Sequence, residues 1–137
     1  MNFGEIVLNL TISCLCKYIK MMECTPKNKA RLCPLTSIPV EGAMGFKLDL
    51  HGVSRDIFVV RQKEGVYAYV NSCPHTGVSL DWQPNQFLDN SGTLIQCSTH
   101  GALFRIEDGL CIHGPCVNQS LVRIHTELTE GELFLLL

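Results

Sequence analysis

Two short segments of the chain each place one cysteine and one histidine within a few residues of each other. The first knuckle, residues 73–77, reads CPHTG, and the second knuckle, residues 97–101, reads CSTHG. Zinc fingers usually take two cysteines from one turn and two histidines from one helix. Here each knuckle can instead give its sulfur to one metal ion and its nitrogen to another, so the split of the ligand types is the feature that most constrains the fold.

The donor set of two thiolates and two imidazoles suits a pair of irons bridged by sulfide. Soft thiolates hold a ferric ion, and neutral imidazoles tolerate an iron that alternates between two charge states. The same four residues could also hold a single zinc ion in an interaction module, or could be buried thiols beside unrelated histidines. The residues alone leave these alternatives open.

The spacing Cys-x-His, twenty-one residues, Cys-x-x-His resembles the signature of the Rieske iron-sulfur family. Gly77 and Gly101 match glycines of that family, and Gly114-Pro115 resembles its third loop, which covers the cluster. The resemblance runs from about Phe46 to the C-terminus. It implies a soluble, ferredoxin-type member without the disulfide pair found in some relatives.

The resemblance also implies the ligands and the function. One 2Fe-2S cluster per chain would take Cys73 and Cys97 on its inner iron, and His75 and His100 on its outer iron. The expected function is single-electron transport to or from a protein partner, such as a reductase, an oxygenase or a nitrite-reductase-like enzyme. The chain is then an oxidoreductase component without catalytic residues of its own. A redox sensor is the remaining alternative.

The residues around the ligands predict a modest reduction potential. High-potential relatives carry an extra cysteine in each knuckle and hydroxyl groups near the cluster, whereas Val78, Thr99 and Ala102 stand at the corresponding positions here. Phe104 occupies the place of a tyrosine that would donate to a ligand sulfur. Fewer donors stabilise the reduced state less, so we expect a potential in the lower half of the roughly −150 to +300 mV range of His-ligated clusters.

Composition limits the class of protein. The chain has 137 residues, a formal charge of −2 and eight cysteines. This charge provides no basic face for nucleic acid. The apolar run at 6–15 is too short to span a bilayer, and Glu5 precedes it where a secretion signal would carry positive charge. Reduced, metal-binding thiols and a cytoplasmic location are therefore expected.

Residues 35–137 are predicted to form one Rieske-type domain, preceded by a poorly ordered N-terminal extension at 1–34. Translation could also begin at Met21 or Met22. The cysteines of the extension are expected to have no function: Cys14, Cys16, Cys24 and Cys33.

Short apolar runs bounded by Gly, Asn and Asp from residue 35 onward predict an all-β fold. The expected architecture is a small antiparallel sandwich or barrel with a cluster-binding loop subdomain. Leu80, Trp82 and Phe87 are expected to supply apolar surface beneath the site, with Trp82 either in the core or at its rim rather than in contact with the cofactor. The predicted strands are 45–50, 56–62, 66–70, 93–96, 102–106, 110–112, 121–126 and 132–137.

Several further residues are interpreted as having no role in the site. Cys111 and Cys116, at the third loop of residues 113–116, could form a redox pair, but the preferred interpretation is that they are inert, as two thiols beside a buried turn commonly are. His113 is not needed as a ligand because four ligands already complete the site. His51 and His125 are expected at the surface.

Overall fold

The computed structural model describes residues 29–136 except His51, His75 and His100. Arg31–Leu135 forms one compact unit, and of the second unit, residues 1–30 and 136–137, only Lys29, Ala30 and Leu136 are described. A short 3-10 turn at Leu35–Ser37 follows the first of nine strands. These strands are β1 (Lys29–Pro34), β2 (Gly42–Leu50), β3 (Val53–Arg61), β4 (Val66–Val70), β5 (Leu94–Gln96), β6 (Leu103–Arg105), β7 (Cys111–His113), β8 (Arg123–Thr129) and β9 (Glu132–Leu136).

The strands form two sheets. The larger has six strands in the order β1-β9-β8-β4-β3-β2, and the smaller has three in the order β5-β6-β7. The β2–β3, β3–β4 and β4–β8 pairs are antiparallel, as are both pairs of the small sheet. The first knuckle follows β4 of the large sheet and the second follows β5 of the small sheet. Both sheets therefore contribute to the site.

The segment Ile57–Val60 of strand β3 is buried on both faces because core side chains cover the large sheet on either side of it. Its apolar side chains alternate between two separate core clusters. Phe58 and Val60 face the cluster that includes Cys73 and Cys97, whereas Ile57 and Val59 face the cluster under β1 and β9. A continuous apolar run is what a strand covered on both sides requires.

The core on the knuckle side is built around stacked aromatic rings. The Phe58 and Phe87 ring centroids lie 4.4 Å apart with an interplanar angle of 7°, and Tyr69 packs at 5.8 Å from Phe58. The Tyr69 hydroxyl donates a 2.5 Å hydrogen bond to the carbonyl of Ile106, which follows β6. This bond joins the strand before the first knuckle to the small sheet.

The all-β prediction is confirmed, and every predicted strand is present with shifts of a few residues at its ends. Strand β1 was not predicted: it lies before residue 35, where the sequence placed the start of the domain, and Cys33 is buried within it. The N-terminal residues 1–28 lie outside the described part of the chain. Among the described residues, no helix is both long and apolar enough to cross a membrane.

Candidate metal centre

Cys73 and Cys97 are the first residues of the two knuckles. Cys73 lies three residues after the end of β4, and Cys97 directly follows β5. Both side chains are buried, with exposed fractions of 1% and 0%. Neither forms a disulfide with a described cysteine, and both lie in the same core cluster. The fold therefore brings the two predicted cysteine ligands to one region, although they are twenty-four positions apart in the chain.

The two knuckles have the same backbone hydrogen bonds. The Cys73 amide donates to the Val78 carbonyl at 2.8 Å, and the Gly77 amide donates to the Cys73 carbonyl at 2.7 Å. In the second knuckle, Cys97 donates to Ala102 at 2.9 Å, and Gly101 donates to Cys97 at 2.8 Å. Each cysteine is thus paired with the residues four and five positions after it, so the two loops are close to equivalent in backbone structure.

Glycine is required at the fourth position after each cysteine because of backbone conformation. Gly77 and Gly101 have φ values of +80° and +70°, which side chains with a Cβ rarely adopt. Space is not the reason, since a Cβ on Gly101 would meet no described atom within 4 Å, and one on Gly77 would meet only the Ser72 hydroxyl at 3.9 Å. Described protein atoms therefore leave room in front of both turns.

Leu80 connects the two knuckles through its own peptide groups. Its amide donates to the Asn71 side-chain carbonyl at 2.7 Å, and its carbonyl accepts from the Ser98 amide at 2.8 Å. The Asn71 side-chain amide in turn donates to Asp81 at 3.0 Å. The role of Asn71 could not be predicted from the sequence, because an asparagine after a strand carries no signal of a partner nine residues later.

Trp82 lies at the rim of the site rather than in the core, which is one of its two expected positions. Leu80 and Phe87 are fully buried as expected, but the Trp82 side chain is 74% exposed. Its indole N–H donates to the Thr99 hydroxyl at 3.0 Å, which links the segment after the first knuckle to the second knuckle. Trp82 therefore adds no apolar surface beneath the site.

The third loop packs directly against the second knuckle. A Cβ on Gly114 would lie 2.8 Å from the Cα and 3.1 Å from the Cβ of Ala102, so only glycine allows this approach. Ala102 is the residue whose carbonyl accepts the hydrogen bond of Cys97. The third loop therefore closes one side of the region that contains the two cysteines, as the resemblance implied.

The core cluster that contains Cys73 and Cys97 is largely apolar. It includes Leu80, Ile95, Ala102 and Phe104, and the hydroxyl of its Tyr69 donates to the Ile106 carbonyl. Cys111 and Cys116 complete this surrounding shell as buried free thiols. Burial, followed by the neighbouring Cys111 thiol and then Cys73, raises the pKa of Cys116 to about 12.

The predicted histidine ligands, His75 and His100, lie outside the described residues. Among the side chains that are described, no three Cys, His, Asp or Glu residues converge as a metal site. The described residues fit a 2Fe-2S group in three respects: two thiols are buried together, their loops are equivalent, and the turns beyond them leave space. Cys73 and Cys97 would hold it from the protein interior.

These features define a small all-β domain with a paired-cysteine site between two sheets. The profile of the Rieske 2Fe-2S domain matches residues 29–129, which is more than half of the chain. The chain therefore belongs to the Rieske family, whose cofactor is a 2Fe-2S cluster. No curated protein sequence gives a significant match.

Solved structures share the fold. The ferredoxin of carbazole 1,9a-dioxygenase from Nocardioides aromaticivorans IC177 superposes with a TM-score of 0.62 at 22% identity, covering 80% of this chain and 97% of that one. A chain from the complex of reduced oxygenase and oxidized ferredoxin in carbazole 1,9a-dioxygenase gives 0.64 at 24% identity, covering 80% and 94%. The terminal oxygenase from Novosphingobium sp. KA1 gives 0.66 at 18% identity, covering 80% and 30%.

Proposed function

We propose that the protein carries single electrons on a Rieske 2Fe-2S cluster held by Cys73, Cys97, His75 and His100. The family match supports the cluster, and the observation that carries the ligand assignment is the equivalence of the two knuckles around Cys73 and Cys97. When bound, the cluster supplies a one-electron couple, and two thiolates rather than four leave it less negative and easier to reduce. The protein contributes ligands, shelter from water and a docking surface.

The two cysteines position the cluster from the buried side. Both cysteines lie in a largely apolar region, where a bound metal rather than water would stabilise a thiolate. The knuckle backbones are held by their own hydrogen bonds and by the Leu80 peptide, so the two cysteines are preorganised before the cluster is inserted. This arrangement favours electron transfer, because little rearrangement is needed when the charge changes.

The composition of the metal centre is the first test. Purified protein should contain two irons and two acid-labile sulfides per chain, and the dithionite-reduced protein should give an electron paramagnetic resonance spectrum with a lower average g value than all-cysteine clusters give. Colourless protein with one zinc per chain and no sulfide would instead support the zinc-stabilised interaction module.

Ligand variants test the assignment residue by residue. Cys73→Ser, Cys97→Ser, His75→Ala and His100→Ala should each abolish the reduced-cluster spectrum. His125→Ala is the matched control, because His125 is exposed on β8, and Cys33→Ser is the control for a buried thiol in the other core cluster. Full cluster loading in any of the four ligand variants would remove that residue from the assignment.

We further propose that the partner is an oxygenase in the cytoplasm. The structural neighbours include complexes of an oxygenase with a ferredoxin, and this chain covers almost the whole of the ferredoxin-sized chains. The exposed side chain of Trp82 is bonded to the residue before His100 and provides an apolar anchor at the rim of the knuckles. A reductase or a nitrite-reductase-like enzyme is the expected alternative donor or acceptor.

Anaerobic stopped-flow mixing tests this partner. Reduced protein should be reoxidised rapidly by a purified terminal oxygenase of the carbazole-dioxygenase type, and Trp82→Ala should slow the second-order rate by about tenfold, as the loss of an apolar anchor predicts. Leu128→Ala removes another exposed apolar side chain, in the C-terminal half of β8 beyond its pairing with β4, and should leave the rate unchanged. A fully loaded protein that transfers no electrons to the oxygenase would favour a redox sensor.

A further inference from the structure

Two cysteines outside the ligand set lie in contact beside the third loop. The Cys116 sulfur is 3.3 Å from the Cys111 sulfur, at the distance of a thiol–thiol hydrogen bond, and the Cys111 thiol donates to the His113 carbonyl at 3.2 Å. Both residues are fully buried, with exposed fractions of 1% or less. Neither belongs to the four-residue ligand set, so their proximity is not explained by cluster binding.

The backbone fixes both cysteines against the same short segment. The Cys111 amide donates to Gln119 at 2.8 Å, and the Cys111 carbonyl accepts from Asn118 at 3.1 Å. The Cys116 carbonyl accepts from the Gln119 amide at 2.9 Å. Hydrogen bonds to residues 118 and 119 therefore hold the backbones of both cysteines in place.

We propose that Cys111 and Cys116 form a dithiol–disulfide couple that responds to thiol oxidants. A disulfide bond is about 2.05 Å long, so closing the present separation needs a movement on the order of 1 Å shared between two side chains. With glutathione disulfide as the oxidant, both S–H bonds break and one protein S–S bond forms. The glutathione S–S bond breaks, and its two sulfurs take up the two electrons and two protons as glutathione thiols.

The pair is placed where its oxidation would be sensed by the metal centre. Cys111 and Cys116 share one core cluster with Cys73 and Cys97. Gly114, between the two thiols in sequence, packs on Ala102, whose carbonyl holds the amide of Cys97. A change in the third loop is thus transmitted by direct packing to the second knuckle.

Burial makes the exchange slow. Both sulfurs are inaccessible to a soluble oxidant, since the exposed fractions of Cys111 and Cys116 are 1% or less. The fixed geometry nevertheless gives the two sulfurs a high effective concentration, which favours the disulfide at equilibrium. The couple should therefore be measured after long incubation.

The experiment uses the cluster-loaded full chain. The protein is equilibrated anaerobically in glutathione buffers of graded oxidised-to-reduced ratio, quenched in acid, denatured, alkylated with N-ethylmaleimide and mapped by mass spectrometry. As the buffer becomes more oxidising, we expect Cys111 and Cys116 to escape alkylation together. Both should appear in one cross-linked peptide, along a single titration curve. Dithiothreitol should restore both thiols.

Variants identify the pair. Cys116→Ser and Cys116→Ala should each abolish the cross-link and leave Cys111 alkylated, and using both replacements covers the chance that one fails to fold. Cys33→Ser is the matched control, since Cys33 is also a buried free thiol but lies in the other core cluster, and it should keep the cross-link. Full alkylation of Cys111 and Cys116 at the most oxidising ratio, or cross-links formed only by Cys73 or Cys97, would overturn the proposal.

A second readout tests the coupling to the metal centre. The paramagnetic resonance spectrum of the reduced cluster should differ between the dithiol and disulfide forms of the unmodified protein and should not change with glutathione ratio in Cys116→Ser. Identical spectra for the two forms would overturn the coupling. The thiol mapping needs no electron transfer, so its result is independent of whether the proposed carrier function holds.

Discussion

The amide of Ser98 donates a 2.8 Å hydrogen bond to the carbonyl of Leu80. Ser98 directly follows the second cysteine, and Leu80 lies three residues beyond the first knuckle. This backbone bond therefore joins the second knuckle to the segment that follows the first knuckle, and no polar side chain takes part in it. The position of the Leu80 carbonyl also depends on the Leu80 amide, which donates to the Asn71 side chain.

Replacing Asn71 should loosen the first knuckle. In Asn71→Ala, the Leu80 amide loses its partner and Asp81 loses a donor, so the free energy of unfolding should fall by about 1–3 kcal/mol and cluster retention should fall with it. Urea denaturation and iron content measure the two effects. Asn90→Ala, in an exposed turn, is the control, and equal losses in the two variants would contradict the role of Asn71.

Gly114 should be the glycine least tolerant of a side chain near the site. Gly114→Ala forces a Cβ to within 2.8 Å of the Ala102 Cα, so overpacking of about 1–3 kcal/mol adds to the strain of a positive φ. Gly92→Ala also introduces a Cβ at positive φ, +73° against +107° for Gly114, but in open space, and is the control. Thermal unfolding and iron content should separate the two, and a smaller effect at 114 than at 92 would contradict the close packing.

The Tyr69 hydroxyl should contribute to stability. Tyr69→Phe leaves the buried Ile106 carbonyl without its donor and should lower the free energy of unfolding by about 1–2 kcal/mol. Tyr67→Phe is the control, because the Tyr67 ring keeps its contact with Arg123 and its hydroxyl is nearer the surface. Chemical denaturation of the two variants would show no difference if the Tyr69 bond were unimportant.

The Tyr69 hydroxyl should also make the protein less stable at alkaline pH. Burial, only partly offset by Arg123, raises the pKa of Tyr69 from 10.0 to about 12. The unfolded chain then releases this proton near pH 10 while the folded chain keeps it, so the contribution is complete below pH 10 and is lost as the pH rises towards 12. Stability measured from pH 9 to 12 should decline less steeply in Tyr69→Phe than in Tyr67→Phe, and parallel curves would contradict the assignment.

The reduction potential should lie in the lower half of the roughly −150 to +300 mV range. The apolar side chains around Cys73 and Cys97 include Phe104 and Ala102 in place of hydroxyl donors, and the nearby Cys116 is a weak donor. Fewer hydrogen bonds to the ligand sulfurs stabilise the reduced cluster less. A redox titration followed by visible absorption gives the midpoint, and a value near the upper end would show that another donor is present.

Most of the fold could be predicted because it is encoded locally. The strand β4 alternates side chains between its two faces, so Tyr67 and Tyr69 were correctly separated from Ala68. The turn at Glu130 and Gly131 takes positive φ at both residues, as a tight hairpin requires. These features depend on neighbouring residues and turn chemistry, which can be read directly from the sequence.

Strand β1 could not be predicted because its stability comes from distant residues. Its segment is interrupted by charged residues and a proline, which resembles a lead-in when taken alone. In the fold, Arg31 pairs with Glu132 and β1 adjoins β9 across about a hundred positions. The choice between core and rim for Trp82 also depended on a distant residue, since its partner Thr99 is supplied by the second knuckle.

The amino-acid sequence alone determined the all-β class, the knuckle residues and the turns, because cysteine–glycine spacing and strand alternation act over a few positions. Tertiary structure decided which groups meet across the chain: the Leu80 carbonyl with the Ser98 amide, and the Cys111 sulfur with the Cys116 sulfur. The first contact forms where the segments beyond two different sheets meet, and the second depends on how the chain after β7 folds back on Cys111. Burial and backbone hydrogen bonding set the geometry of both.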